Sequence, residues 1–360
     1  MSDEPNRKRL EELSAKEPHQ YAHDAGVKQG KRRSLPTPSG PVLGLLAVLT
    51  VFLVLIGYKR GLGTFLSLGN LQVLVHENTV IAVVALGALV VIISGGIDLS
   101  VGSVAALVTV VMMQVYRLAY AQSGSTGAAS AVAIPAGIGV GGLCGLTNGL
   151  IITSLRVPPF VTTLGMLSIA RGLAVWLSGR QAISFPSGAR PAWVTSLSQT
   201  ASDYTVFNPG FWALMLLAAM MTAFLRFTVL GRYCYAIGSN EATARLCGVP
   251  IRRSKVLLYL LAGLFTGWAG VLSFAHLGSG DPSGNVGLEL DVIAAVVIGG
   301  ASLSGGRGSV GGTLLGVLIL GVLTNGVHSF NVPVEVKHIL IGAIIIANTA
   351  LSQWQQRRGE

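Results

Sequence analysis

Asp98, in the run SGGIDLSVGS, is the carboxylate best placed to do chemistry, because it stands beside a glycine break in otherwise apolar sequence. Acids at such positions in membrane segments mark ion or solute routes. The simpler alternative is that Asp98 or Ser100 caps the next helix by accepting from its free backbone N–H groups. Both hold if the break lines a cavity. Asn148 and Asn325 place carboxamides within apolar stretches, where they can bond a solute hydroxyl or a neighbouring helix, the second being the plainer reading. His76, Glu77 and Asn78 form a polar triplet of the kind ordinary at a membrane interface. His276, His328 and His338 have no partner at metal-ligand spacing, and no Ser/His/Asp or paired-carboxylate pattern occurs. Covalent catalysis is therefore not expected.

Two glycine patterns imitate nucleotide loops. Gly137, Gly139 and Gly142 have dinucleotide-fingerprint spacing but lie in a continuous apolar run with no preceding strand. Gly26 to Lys31 is one residue short of a phosphate loop, and Arg32 stands where Ser or Thr would bind magnesium. No ATP site is expected in this chain. Gly141, Gly145 and Gly149 recur every fourth residue, the close-packing stripe of membrane helices.

These residues need a membrane scaffold to position them. The 360 residues are 51% hydrophobic and 11% charged, which excludes a water-soluble globular domain and indicates a polytopic membrane protein. Ten spans are expected, near 41–58, 73–93, 102–117, 131–153, 159–179, 210–227, 256–277, 288–301, 310–328 and 335–353. With both termini inside, 18 of the 25 Lys and Arg fall on cytoplasmic segments and 6 on outer loops. This positive-inside pattern accounts for the net charge of +10 through topology and removes the case for nucleic acid. Residues 1–40 carry eight basic and six acidic side chains and read as a mostly disordered cytoplasmic tail. No cleavable signal peptide is expected there, so the first span targets the chain. Residues 41–355 form the transmembrane domain. Cys144, Cys234 and Cys247 match neither a disulfide framework nor a zinc motif.

One charged stretch between two apolar blocks has no purpose in a plain span: Gly238–Lys255, GSNEATARLCGVPIRRSK. Ser239 or Asn240 can N-cap a helix. Glu241 in its first turn and Arg245 near its end suit the helix dipole. Gly248 offers a left-handed stop, and Pro250 prevents continuation. Ala242, Ala244 and Leu246 give this short helix, about 239–249, a compact face able to enter a cleft. It reads as a docking lever.

Leu146-Thr147-Asn148-Gly149 returns as Leu323-Thr324-Asn325-Gly326, and Val157-Pro158 as Val332-Pro333, in nearly one register. An odd number of crossings separates the copies, so they run in opposite directions, as in the inverted repeats of transporters. Ile93-Ser94-Gly95-Gly96 and Ile298-Gly299-Gly300 share a glycine break outside that register.

ISGGIDLSVGSVAAL (93–107), GSNEATARLCGVP (238–250) and GLELDVIAAVVIGGASLSGGRGS (287–309) closely resemble permease subunits of ABC sugar importers of the ribose/xylose/galactose type. The likeness covers roughly residues 41–355. It implies an all-α, type II importer-like permease that works as a homodimer in the bacterial inner membrane. The implied partners are a cytoplasmic ABC ATPase, which binds the ATP, and a periplasmic sugar-binding protein; lipid surrounds the spans. In that family the stretch matching Ser239–Val249 is the coupling helix that docks on the ATPase. A monosaccharide or related polyol is the implied solute. A permease of the same architecture for a nucleoside, autoinducer or amino acid is the alternative, and a stand-alone secondary transporter is a third reading.

Overall fold

The computed structural model describes residues 67–200 and 205–329, with Thr50, Ile339 and Gly342 as isolated helical positions. The tail 1–40, the first expected span and the tenth lie outside the described residues, apart from those isolated positions. Among the described residues there are eleven helices and one two-residue ladder. In chain order they are α1 (Leu68–Ile93), α2 (Val101–Ser123), α3 (Thr126–Ser154), α4 (Pro159–Leu177), β1 (Ile183–Ser184), α5 (Ala192–Ser198), α6 (Pro209–Phe227), α7 (Val229–Ser239), α8 (Glu241–Leu246), α9 (Ile251–Leu277), β2 (Ser279–Gly280), α10 (Leu288–Ile298) and α11 (Val310–Ser329). Seven of them, α1–α4, α6, α9 and α11, are long and apolar enough to cross a membrane. α10 has eleven residues, about 17 Å at 1.5 Å per residue, too short to cross a hydrocarbon core of about 30 Å alone.

The starts of these helices are written locally. Ser67, Ser125, Asn208 and Thr228 each accept the backbone N–H three residues on, at 3.0–3.3 Å. Pro159 and Pro209 occupy first-turn positions where the missing N–H has no partner to lose. α1 is buried on nearly every side from Leu74 to Ile93 and forms the axis of the bundle. α6, α9, α10 and α11 pack around it in one apolar cluster, while α2, α3 and α4 form a second cluster against α9.

The glycine stripe of α3 meets a second one on α9. A Cβ added at Gly141 would stand 2.6 Å from the Gly267 Cα, and one at Gly145 2.9 Å from the Gly263 Cα. The two backbones therefore touch, as the spacing predicts.

Several boundaries differ from the sequence reading. α2 runs to Ser123 rather than stopping by Arg117, since its polar last turns need only an exposed interfacial face. α7 was not anticipated. Thr228 ends α6 and caps α7 at once, donating to Phe224 O at 2.7 Å and accepting from Gly231 N at 3.0 Å. The expected outer stretch 180–208 contains α5 and β1, and β1 pairs antiparallel with β2, Ile183 opposite Gly280.

Candidate functional site

α8 is built as its sequence implies. Asn240, rather than Ser239, is the cap, and its side chain accepts from Thr243 N at 2.9 Å. At the other end Val249 N bonds Ala244 O and Gly248 N bonds Arg245 O, both at 3.0 Å. With Gly248 at φ +82°, this is a Schellman stop. Its apolar contact is present too, because Ala244 and Val249 pack with Ile237 and Ile251.

The expected compact face splits in two. Ala244 turns inward and is buried, while Ala242 and Leu246 face outward, Leu246 at 89% exposure. The residues stand two positions apart on a 3.6-residue period, so they cannot share one side. Ser239, Asn240, Arg245 and Gly248 are exposed as well. Glu241 accepts from Lys255 of α9 at 2.6 Å and from Arg245 at 3.1 Å. The Lys255 hydrogen bond, ahead of the other contributions, holds the Glu241 carboxyl below its usual range despite partial burial. Beside α8 a basic cleft of about 930 Å³ opens toward the α3–α4 turn, with Arg156, Arg252 and Arg253 on its walls.

Asp98 and Asn148 come together, and Ser100 joins them. One carboxylate oxygen of Asp98 accepts Ser100 N at 2.9 Å and Ser100 Oγ at 2.6 Å. Ser100 Oγ in turn accepts Asn148 Nδ2 at 3.2 Å. Asp98 thus closes the turn that leads into α2, and the chain of bonds ties that turn to α3. All three residues are buried. The Asn148 carbonyl oxygen and the nearby Tyr259 hydroxyl are buried without a partner among the described residues.

Asn325 does not join this group. It exchanges amide hydrogen bonds with Asn70 at 2.9 and 3.3 Å, tying α11 to the first turn of α1. Asn148 reaches the segment just beyond the other end of α1, about 39 Å away along a 26-residue helix. The plainer reading of Asn325, helix-to-helix bonding, matches this geometry.

The comparisons decide what such a scaffold is. Residues 72–349 match the family described as branched-chain amino acid transport system / permease component. The fructose import permease of Rhizobium meliloti is 33% identical over 335 residues, covering 92% of this chain and 90% of the relative. The ribose import permease of Escherichia coli K12 is 33% identical, covering 83% and 90% respectively, and the L-arabinose ABC transporter permease of Azospirillum brasilense is 33% identical, covering 86% and 88%. The chain belongs to this permease family. The resemblance read from the three motifs is thereby borne out. No solved structure gives a significant match.

At the end of the permease away from α8, two loops meet. β1 and β2 join the 180–208 stretch to the segment after α9. Arg171, within α4, donates to Pro282 O at 2.5 Å and Gly284 O at 3.0 Å, fixing the loop that leads into α10. Arg171 falls inside the expected span 159–179, and its sequence context suggests no such task. The His76-Glu77-Asn78 triplet is divided: Glu77 is exposed, while Asn78 bonds Leu74 O at 2.7 Å. His76 packs against His276, the rings tilted by 38° with centroids 4.1 Å apart, and accepts from Asn208 Nδ2 at 2.7 Å. These are packing duties at the start of α1. His328 and His338 have no described side chains.

Proposed function

We propose that this permease carries a monosaccharide, or a related polyol, across the bacterial inner membrane as the membrane subunit of an ATP-driven importer. The observation that carries the mechanism is α8: a capped, six-residue helix between two spans, anchored by Ala244 and Glu241 and presenting Leu246 outward. An ATPase subunit receives that outward face, with Ser239, Asn240, Ala242, Arg245 and Gly248 around Leu246. ATP closes the paired ATPases and moves α8. The loops joined by β1–β2 receive the periplasmic binding protein. Relatives named for ribose, fructose and L-arabinose supply the solute class.

The working unit is a dimer of ten-span subunits with both termini in the cytoplasm. The inverted repeat is supported by Asn148 and Asn325, which occupy matching places on α3 and α11 yet bond near opposite ends of α1. Asp98 and Asn148 flank the solute path as its structural wall, and Asn325 holds a helix pair.

Reconstitution with an ATPase and a binding protein tests the reading. Concentrative sugar uptake requires both partners and ATP, and an α8 variant such as Leu246→Asp abolishes ATPase association. Uptake against a gradient by this chain alone would refute it and favour a secondary transporter. The family description favours one second reading, an importer of the same build for an amino acid. Ligand binding by the cognate binding protein separates the two.

A further inference from the structure

Between α8 and the two glycine breaks, the backbone passes through Gly238. A Cβ there would overlap the Ile93 carbonyl oxygen and stand 2.6 Å from Gly306 N. From the other side, a Cβ at Gly305 would be 2.7 Å from Gly238 O, and one at Gly306 3.1 Å from Ser239 Cα. Gly305 and Gly306 also hold φ of +86° and +74°, which L side chains rarely adopt. Three backbones meet here without side chains between them.

The contact joins both glycine breaks. Ile93 O is among the last carbonyls of α1, which lack helical partners, and Gly306 N fills that need at 2.8 Å. Two adjacent residues of α7 then bond the last turn of α1 and the loop between α10 and α11. Cys234 Sγ donates to Val90 O at 3.1 Å, and Tyr235 Oη donates to Gly308 O at 2.9 Å. Asp98 and its link to Asn148 begin five residues beyond Ile93.

We propose that Gly238, with Gly305 and Gly306, is a rigid joint that carries displacement of α8 to the α1–α2 and α10–α11 breaks together. The three glycines are positioning residues for transport. Side chains yield by changing rotamer, whereas touching backbones do not, so a shift of α8 must move both breaks or separate the contact. This proposal rests on the reading of α8 as the docking element.

The test uses the complete transporter in proteoliposomes and reads sugar taken up per ATP hydrolysed. Gly238→Ala keeps the ATPase bound and hydrolysing, while the ratio falls about tenfold, a typical size for coupling between sites. Tyr235→Phe removes one hydroxyl and lowers the ratio about fivefold, the worth of a hydrogen bond. A wild-type ratio in Gly238→Ala overturns the proposal. If Gly238→Ala does not accumulate in membranes, Tyr235→Phe decides alone, and an unchanged ratio there overturns it. Leu246→Asp separates the two levels: if that variant retains its ATPase, the docking reading fails, whatever the ratio does.

Discussion

The α3–α9 crossing allows a prediction in which one substitution type has two outcomes on a single helix. A Cβ at Gly145 would sit 2.9 Å from the Gly263 Cα, where ordinary contact begins near 3.4 Å. The helices must part by about 0.5–1 Å, which forfeits a quarter to a half of each contact well. For a strip of about 30 atom pairs at 0.1–0.2 kcal/mol each, the loss is about 1–3 kcal/mol. Gly139, six residues earlier, has nothing within 4 Å of an added Cβ. Gly145→Ala and Gly139→Ala share the intrinsic helix gain of Ala over Gly, so the difference between them isolates the crossing. The assay is thermal unfolding of purified permease with a thiol-reactive dye, since Cys234 is buried and exposed Cys247 supplies a constant baseline. Gly145→Ala should unfold several degrees below Gly139→Ala. Equal midpoints, or the reverse order, would refute the claim that backbone contact holds these helices together.

Three further outcomes follow from named contacts. Glu241 has a lowered folded-state pKa, so its pairing stabilises the α8–α9 corner above the ordinary carboxylate value and loses this contribution as pH falls through the lowered one. Half-exposed pairs of this kind are worth about 0.2–1 kcal/mol, and Glu241→Gln should flatten the pH dependence of amide exchange in α8 between pH 7 and 3. A double-mutant cycle on Asn70 and Asn325, each to Ala, should give coupling of about 0.6–1.7 kcal/mol in the same unfolding assay; zero coupling removes the amide exchange as a tie between α1 and α11. Arg171→Leu frees two loop carbonyls, so stimulation of ATP hydrolysis by binding protein should fall about tenfold, the worth of a charged hydrogen bond, with basal hydrolysis kept.

Legibility in the sequence followed the distance between interacting residues. Every bond that caps or stops α8 lies within five residues, and its cap, dipole charges and glycine stop could be read directly. The inward turn of Ala244 could not, because it depends on Ile237 and Ile251 closing from both sides. Asp98 bonding Ser100 is local, but its extension to Asn148 spans 48 residues and requires the register of α3 against the break. α7 was hidden because VLGRYCYAIGS carries two glycines and an arginine directly after a span. Tertiary burial of Cys234 and Ile237 outweighs that weak propensity. Gly238 stood out only as the first residue of the charged stretch, and only the approach of two distant backbones shows why a side chain is excluded.

The polar groups nearest the α1–α2 break serve the fold first. Asp98 has one oxygen committed to Ser100, and Ser100 is committed to Asn148, so the strongest polar cluster is spent on closing a break. Those bonds hold the α1–α2 turn against α3, while the Asn148 carbonyl oxygen beside them is buried without a partner among the described residues. The same break is where α7 and the Gly305–Gly306 turn converge. Next to α8 the chain therefore crosses itself at a place that contains little besides backbone. A side chain at Gly238 would part these backbones, and under the joint proposed above it would absorb the displacement of α8.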